Sequence, residues 1–228
     1  MELIDKVREL RGQGKSPKEI ARALGVPPSK VAPLVRAVAA EAPVEEMGEV
    51  AGSWVTTGWS VGLTAPGWVD EAPEEHGTNG TVCVLVARRH SWDKYVVCGY
   101  LVDTYCLGVR HTVGPDVMDE RELRRFRDYF FSDFPGWQEA PFELARELVL
   151  GSVEYARSLG LDPIEDFAPL ARHLGEEEIA GTVTFGRDGR PFYVVGPNDE
   201  PRKVLRQLER AVGKPPNFGY VMVSPEGS

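Results

Sequence analysis

The sequence predicts an α+β protein in which a small unit of three helices precedes a larger mixed α+β domain with antiparallel hairpins. Three observations support this fold class. Residues 1–40 carry helical spacing and helix-start signals, two apolar runs of strand length flank a short polar connection near residue 90, and amphipathic helices alternate with strands farther along. Strand pairs mixed with helices in this order favour an α+β arrangement over a doubly wound parallel sheet.

The three N-terminal helices are predicted from apolar spacing and from their start and stop residues. The first helix is indicated by four apolar residues at helical spacing, Leu3, Ile4, Val7 and Leu10. Ser16, Pro17 and Glu19 form an N-cap, a proline at the first helical position and a capping box, and Gly25 ends this second helix. A third helix begins near Pro28, and Pro33 within it predicts that the helix is kinked or short.

Four apolar residues of the third helix are expected to face inward: Val31, Leu34, Val35 and Val38. The string SPKEIARALGVPPSKV, residues 16–31, is similar to the helix-turn-helix of the homeodomain-like and sigma-factor classes. The resemblance implies that Ala21 allows a close helix crossing, that Gly25 makes the turn and that Val26 fills the small core. In that class, polar side chains in the first two turns of the recognition helix read base edges.

Charge is distributed unevenly between this unit and the rest of the chain. The whole sequence carries a net charge of -9, which argues against a protein that coats nucleic acid over its full surface. Residues 1–40 hold eight basic and four acidic side chains, or +4, so that the remainder carries -13. Double-stranded DNA would therefore dock at the N-terminal unit, through the candidate residues Lys15, Lys18, Arg22, Ser29, Lys30 and Arg36.

A linker and an irregular stretch are predicted to join this unit to the larger domain. Residues 41–52 are acidic, small and without periodicity, which is typical of a linker. Residues 53–80 are rich in Gly, Thr and Trp, and we expect Trp54, Trp59 and Trp68 to find cover against the body in short extended pieces. The mixed α+β domain is assigned to residues 53–228.

Within this domain the clearest elements are a hairpin, three helices and a second hairpin. The predicted segments are strands 82–87 and 95–102, helices 119–131 and 142–159, strands 182–185 and 191–195 around an Asp-Gly turn, and a last helix from about Asp199 to Gly213.

The densest candidate for chemistry follows the second strand of the first hairpin. Asp103 could bind a metal or act as a base, and Cys106 could be a nucleophile if His111 lowered its pKa. The alternative is structural: Asp103 caps the next turn, Cys106 is a small buried hydrophobe and His111 lies on the surface. Glu154 is a further candidate ligand, although it shares one helix face with Glu143 and Glu147, a pattern typical of a solvated face.

Composition limits the other possibilities. With 42% hydrophobic residues the chain has enough apolar material for a packed core, and no apolar run approaches the roughly 20 residues of a membrane span. The first ten residues form a charged amphipathic helix rather than a signal peptide, so we expect a cytoplasmic protein with no membrane partner. Three cysteines and four unclustered histidines give no zinc pattern, and we predict no metal and no cofactor.

The body also resembles an uncharacterised bacterial family through the strings LVDTYCLGV, GSVEYARSLG and FGRDGRPFYV. In actinobacterial members the same body follows an N-terminal helix-turn-helix, and the resemblance implies this domain division without implying an activity. The sequence thus predicts a DNA-binding protein of transcription regulation whose body senses a ligand, forms a homodimer or binds a partner. Two alternatives stay open: a metal-dependent hydrolase or nuclease that uses Asp103 with Glu154 or His111, and a protein–protein interaction module.

Overall fold

The computed structural model describes residues 2–41, 48–71, 78–197 and 199–221 and confirms the α+β class. The strands are β1 (Val50–Thr56), β2 (Thr81–Ser91), β3 (Lys94–Asp103), β4 (Gly108–Asp119), β5 (Trp137–Glu139), β6 (Phe192–Val194) and β7 (Gly219–Val221). The helices are α1 (Leu3–Gly12), α2 (Pro17–Leu24), α3 (Pro28–Glu41), α4 (Glu120–Phe130), α5 (Phe142–Arg146), α6 (Ser152–Ser158), α7 (Phe167–Ala171) and α8 (Pro201–Val212). Among the described helices, none combines the length and apolarity that a bilayer span requires.

The central feature is a five-stranded antiparallel sheet in the order β4-β3-β2-β1-β5. Its two middle strands form the predicted first hairpin, paired from Thr81 with Asp103 to Ser91 with Lys94. Because side chains alternate between the two faces of a strand, a run of buried residues such as 82–87 must be covered on both faces. The helices of the body supply that cover.

Two cores lie on opposite faces of the sheet. On one face, α5, α6 and α7 pack with Val82, Val84 and Val86 in the larger core. The helical run between α5 and α6 contains a π-helical segment, Glu147–Gly151. On the other face, residues of α4 and the turn that follows it cover Leu85 and neighbouring strand residues in a smaller core.

The N-terminal unit, here called the head (residues 2–41), has the predicted three helices and its own small core. Ser16 and Glu19 form the predicted capping box, in which the N–H of Ser16 donates to Oε2 of Glu19 over 2.8 Å. Gly25 ends α2 in the left-handed conformation, with φ of 64°. The core consists of Val7, Ile20, Ala21, Val31 and Val35, with Leu34 and Val38 partly buried beside it.

Of the two outcomes predicted for Pro33, a kinked or a short third helix, the short helix is wrong. Helix α3 runs for 14 residues with Pro33 inside it, and this residue is exposed. A proline there removes one backbone hydrogen bond, to the carbonyl of Ser29 four residues earlier, and its ring faces solvent rather than the core. The packing of Val31 and Val35 against α1 and α2 keeps the helix continuous across that gap.

The head packs against the rest of the described chain, here called the body. Helix α3 contacts α7 and β4. Arg11, at the end of α1, is half-buried in electrostatic range of Asp116, and burial lowers the pKa of its guanidinium although Asp116 opposes that shift. The same guanidinium donates to the carbonyl of Lys15 over 3.3 Å. The charge of Arg11 thus lies at the contact between the head and the body.

Two boundary predictions need correction. The linker predicted at 41–52 is wrong at both ends, because Glu41 belongs to α3 and residues 50–52 belong to β1, while residues 42–47 lie outside the described residues. The turn of the predicted second hairpin is present, with Arg187 bridged to Arg190, but its strands do not pair with each other. Thr184 bridges Thr64 instead, and β6 pairs in parallel with β7.

We expect the substitution Arg11→Ala to loosen the head while leaving the body folded. Losing a half-buried, hydrogen-bonded cation in electrostatic range of a carboxylate costs about 1–3 kcal/mol, since Asp116 keeps a charge that no longer faces Arg11. Native-state hydrogen exchange should accelerate across residues 2–41 and change little in β2 and β3. The control is Arg22→Ala, an exposed arginine of α2, and equal exchange in the two variants would contradict a joint built on Arg11.

Candidate functional site

The candidate nucleic-acid residues lie mostly on the outer surface of α2 and on the first turn of α3. Lys18, Arg22, Ser29 and Lys30 are exposed, and Lys15 is half-buried. Arg36 belongs to α3, and its side chain lies outside the described part of the structure. The predicted nucleic-acid residues whose side chains are described therefore all lie on one small helical unit.

The cations on this surface keep their charge free of carboxylates. In the described part of the chain, Lys18, Arg22 and Lys30 make no ion pair. Glu19 is an acid of the same helix α2, and its pKa is lowered first by hydrogen bonds from Ser16 and further by the ammonium groups of Lys15 and Lys94. Glu19 is engaged in the capping box, so its charge serves the start of α2.

The first turn of α3 is open to solvent. Residues 27–30 are all exposed, and so is Pro33 one turn later. The helix buries Val31 and Val35 inside the head, and its contacts with α7 and β4 leave these exposed positions uncovered. This is the end of the helix that a helix-turn-helix presents to a DNA groove. Only Ser29 and Lys30 offer polar side chains there.

Asp103 is a turn-forming residue rather than an open catalytic acid. Its Oδ1 accepts hydrogen bonds from the N–H groups of Tyr105 and Cys106, each at 2.9 Å, and the side chain is buried at the end of β3. Burial raises the pKa of Asp103 to about 6, against the lowering effect of these N–H groups and of Arg110. The Asp103 carboxylate therefore stabilises the turn between β3 and β4 by accepting hydrogen bonds from its backbone N–H groups.

Cys106 and His111 are not brought together. Cys106 is fully buried in a core with Leu159, Tyr193 and Leu208, whereas His111 is exposed on β4 opposite Leu101. Burial raises the pKa of the Cys106 thiol, and the Asp103 carboxylate raises it further. A nucleophilic cysteine needs a lowered pKa and access, so this geometry does not support that role.

The polar partner near this turn that sequence reasoning missed is the pair Arg110–Asp199. The Arg110 guanidinium donates to both carboxylate oxygens of Asp199, which also accepts from Tyr193 Oη at 3.0 Å and Gly196 N at 2.8 Å. Burial alone would raise the pKa of Asp199, but these donors lower it. The pair fastens the start of α8 to β4. No local pattern signals a contact between residues so far apart in sequence.

The sequence predicts that Glu143, Glu147 and Glu154 share a solvated helix face. For Glu147 that prediction is wrong. Glu147 is 1% exposed in the π-helical segment. Its Oε1 accepts from the N–H of Val183 at 2.6 Å, and its Oε2 accepts from the Thr182 hydroxyl at 2.9 Å. The segment that was predicted as a hairpin strand is held by this carboxylate instead. Glu143 and Glu154 are exposed.

Glu154 lies at a separate place, on the rim of a cleft of about 760 Å³. The cleft combines an apolar floor, which includes Phe167 and Ala171 of α7, with six acidic lining residues: Glu154, Asp162, Glu165, Glu176, Glu177 and Glu178. Asp103, Cys106 and His111 are not among its lining residues. Within residues 2–41, 48–71, 78–197 and 199–221, no group of three or more His, Cys, Asp or Glu side chains is placed to hold a metal ion. The residues of the predicted hydrolase or nuclease centre are thus not gathered into one pocket.

We expect Asp103→Asn to stabilise the protein at high pH and to change little at low pH. An unfolded aspartate ionises near pH 3.8 and the folded one near 6, so the folded state holds an extra proton between these values. The extra proton on Asp103 stabilises the folded state at low pH, and this contribution to the free energy of unfolding is lost as the pH rises through 6. Above pH 6 the buried charge of Asp103 costs about 3 kcal/mol of stability. A neutral asparagine amide, which keeps an acceptor oxygen, avoids that cost. Urea unfolding at pH 4 and pH 8, run on the unmodified protein and on the variant, measures the difference.

The control for this experiment is Asp162→Asn, which removes an exposed carboxylate. His173, whose pKa burial lowers to about 4, produces a stability change of the opposite sign, rising with pH between about 4 and 6.5. Because His173 is present in every variant, it cancels in the comparison. A gain for Asp103→Asn that is the same at both pH values would contradict a protonated Asp103.

We expect all three cysteines to resist alkylation in the folded protein. Cys83, Cys98 and Cys106 are buried free thiols, and burial raises the pKa of each, that of Cys83 to about 12. Since the thiolate is the reactive form, labelling by iodoacetamide at pH 8 should proceed only after unfolding in urea. Intact-mass spectrometry reads the result, and fast modification of native Cys106 would revive the nucleophile hypothesis.

Comparisons with protein-family models, with curated proteins and with solved structures each give no match for this chain. The resemblance of the strings LVDTYCLGV, GSVEYARSLG and FGRDGRPFYV to an uncharacterised bacterial family therefore stays a prediction. The function has to be inferred from the surfaces and side chains described above.

Proposed function

We propose that this protein binds double-stranded DNA through the exposed face of α2 and the first turn of α3, and that it acts in transcription regulation. The observation that carries the proposal is the set of exposed cations Lys18, Arg22 and Lys30, which make no ion pair within the described residues. They lie on an α2–turn–α3 pair whose turn is formed by Gly25.

The charge on this face suits contacts to phosphates more than readout of bases. Lysine and arginine side chains that neutralise phosphates supply a sequence-independent affinity that falls steeply with salt. Base readout needs polar side chains on the recognition helix, and the first turn of α3 offers only Ser29 and Lys30 between prolines. We therefore expect weak sequence preference and modest affinity, which a homodimer would raise by joining two heads.

The two alternative functions receive less support. A hydrolase or nuclease requires Asp103 to share a pocket with Glu154 or His111, but Asp103 is engaged with backbone N–H groups and Glu154 lies on the separate cleft. An interaction module would be favoured if the outer side of α3 were packed against the body. Helix α3 does contact α7 and β4, but residues 27–30 at its start, the part that would face DNA, are exposed. The DNA-binding proposal is the one that uses the free cations.

The proposal predicts that the triple variant Lys18→Ala/Arg22→Ala/Lys30→Ala loses most DNA binding. Fluorescence anisotropy with a labelled mixed-sequence duplex, between about 50 and 200 mM salt, measures the slope of log K against log salt. Removing three phosphate contacts should reduce the steepness of that slope by about 3 and weaken binding about 10- to 100-fold at the lower salt. The cause is the smaller number of counterions released from the duplex.

The matched control is Arg202→Ala/Lys203→Ala/Arg206→Ala on α8. The side chains of Arg202, Lys203 and Arg206 are exposed on this helix, and the substitutions remove the same charge as those of the head variant. The control should bind like the unmodified protein. If the α8 variant loses affinity while the head variant keeps it, or if the intact protein does not bind the duplex at the lower salt, the proposed function is wrong.

A further inference from the structure

We propose that the tip of the β2–β3 hairpin, residues 89–94, forms a second DNA contact beside the head, with Arg89 and Lys94 on phosphates and Trp92 against the sugars of the adjoining minor groove. This inference rests on the proposed function and extends its site from the head to the body. It assigns a role to a projecting part of the sheet that the domain division of the sequence separates from the head.

The hairpin tip lies directly beside the start of α2. A Cβ atom built on Gly14, in the turn between α1 and α2, would lie 3.9 Å from Nε2 of His90. Arg11 acts electrostatically on His90, and Lys94 acts electrostatically on Glu19 in the first turn of α2. In a helix-turn-helix, the helix before the recognition helix crosses the DNA backbone. A hairpin placed next to that helix is therefore placed next to the same phosphates.

The side chains of the tip suit that position. Trp92 is 93% exposed, whereas Trp54 and Trp59 are buried and Trp68 and Trp137 are partly buried. An indole held in water at the end of a hairpin has lost none of its apolar surface to the fold. Apolar side chains of this kind pack against sugars and base steps when proteins enter the minor groove.

The cations of the tip flank Trp92. Arg89 is exposed, lies over the ring of Tyr95 at 5.5 Å, and makes no ion pair within the described residues. The Lys94 ammonium lies 3.9 Å from Oδ2 of Asp119, at the limit of an ion pair, so much of its charge remains available to a phosphate. Asp93 is the acidic residue within the tip itself.

DNA rather than a protein partner is favoured by the neighbours of the tip. The exposed cations Lys18 and Arg22 belong to α2, which directly follows the turn at Gly14, where a Cβ atom would lie 3.9 Å from Nε2 of His90. A protein partner that covered Trp92 would bring a surface against this positive region, and a polyanion would gain from both features at once. The head is held beside the body by the contacts of α3 with α7 and β4, and the half-buried Arg11 lies in electrostatic range of both Asp116 and His90.

The first test measures the exposure of Trp92 directly. Acrylamide quenching of tryptophan fluorescence is compared for the unmodified protein and for Trp92→Phe, and the difference isolates Trp92 from the other four tryptophans. We expect this difference signal to be strongly quenched in the free protein and protected when saturating duplex is added. Quenching that stays unchanged with duplex bound overturns the inference. Protection that instead grows with protein concentration in the absence of DNA also overturns it, because Trp92 would then be a contact between copies.

The second test uses charge variants of the tip. Arg89→Gln/Lys94→Gln should reduce the steepness of the salt dependence by about 2 and weaken duplex binding about 10-fold, because two phosphate contacts are lost. The control Arg202→Gln/Lys203→Gln on α8 should change neither quantity. Unaltered binding by the tip variant, together with weakened binding by the head variant, refutes the hairpin contact and leaves the proposed function standing. Failure of the intact protein to bind duplex refutes both.

Discussion

The two middle strands of the sheet, β2 and β3, are buried on both faces, and this constraint organises the molecule. Burying the run 82–87 requires one helical layer on each side, which α5–α7 and α4 provide. The cover ends at Arg88, whose Nε turns inward to donate to the carbonyl of His173 over 2.8 Å. Beyond that residue the hairpin continues without a layer above or below it. The exposed tip is thus a consequence of strands that are longer than the helices packed on them.

Most elements with local signals could be predicted from the sequence. The capping box at Ser16, the left-handed Gly25 and the run 82–87 each depend on residues within one or two turns or one strand, and each is found in the structure. Elements whose pairing depends on distant residues could not be predicted. Strand β4 was missed because Gly114 and Pro115 interrupt it, and the sheet accommodates them through an irregularity in its pairing with β3. The prediction of the second hairpin is wrong because Thr184 pairs with Thr64 and β6 pairs with β7, both distant in sequence.

The residues of the candidate site likewise fall into those that the sequence could place and those that it could not. The identity and exposure of Lys18, Arg22 and Lys30 follow from their positions on amphipathic helices, so sequence reasoning could place them on an outer surface. It could not show that Arg11, a basic residue of the same unit, is half-buried at the joint with the body. For Asp103, a turn-forming acid and an open catalytic acid look alike in a single sequence. Only the hydrogen bonds of Oδ1 to two backbone N–H groups distinguish them.

The division of charge between head and body also bears on how DNA would approach. Residues 41–228 carry a net -13, and six acidic residues line the cleft beside α7, so a duplex is repelled from that part of the body. The face where the head and the hairpin tip adjoin carries exposed cations of both parts, including Lys18, Arg22 and Arg89. Because α3 packs against α7 and β4, this face is already oriented before any encounter, and binding does not have to order the two parts. Weak individual contacts can then add along one duplex without the entropic cost of a freely moving head.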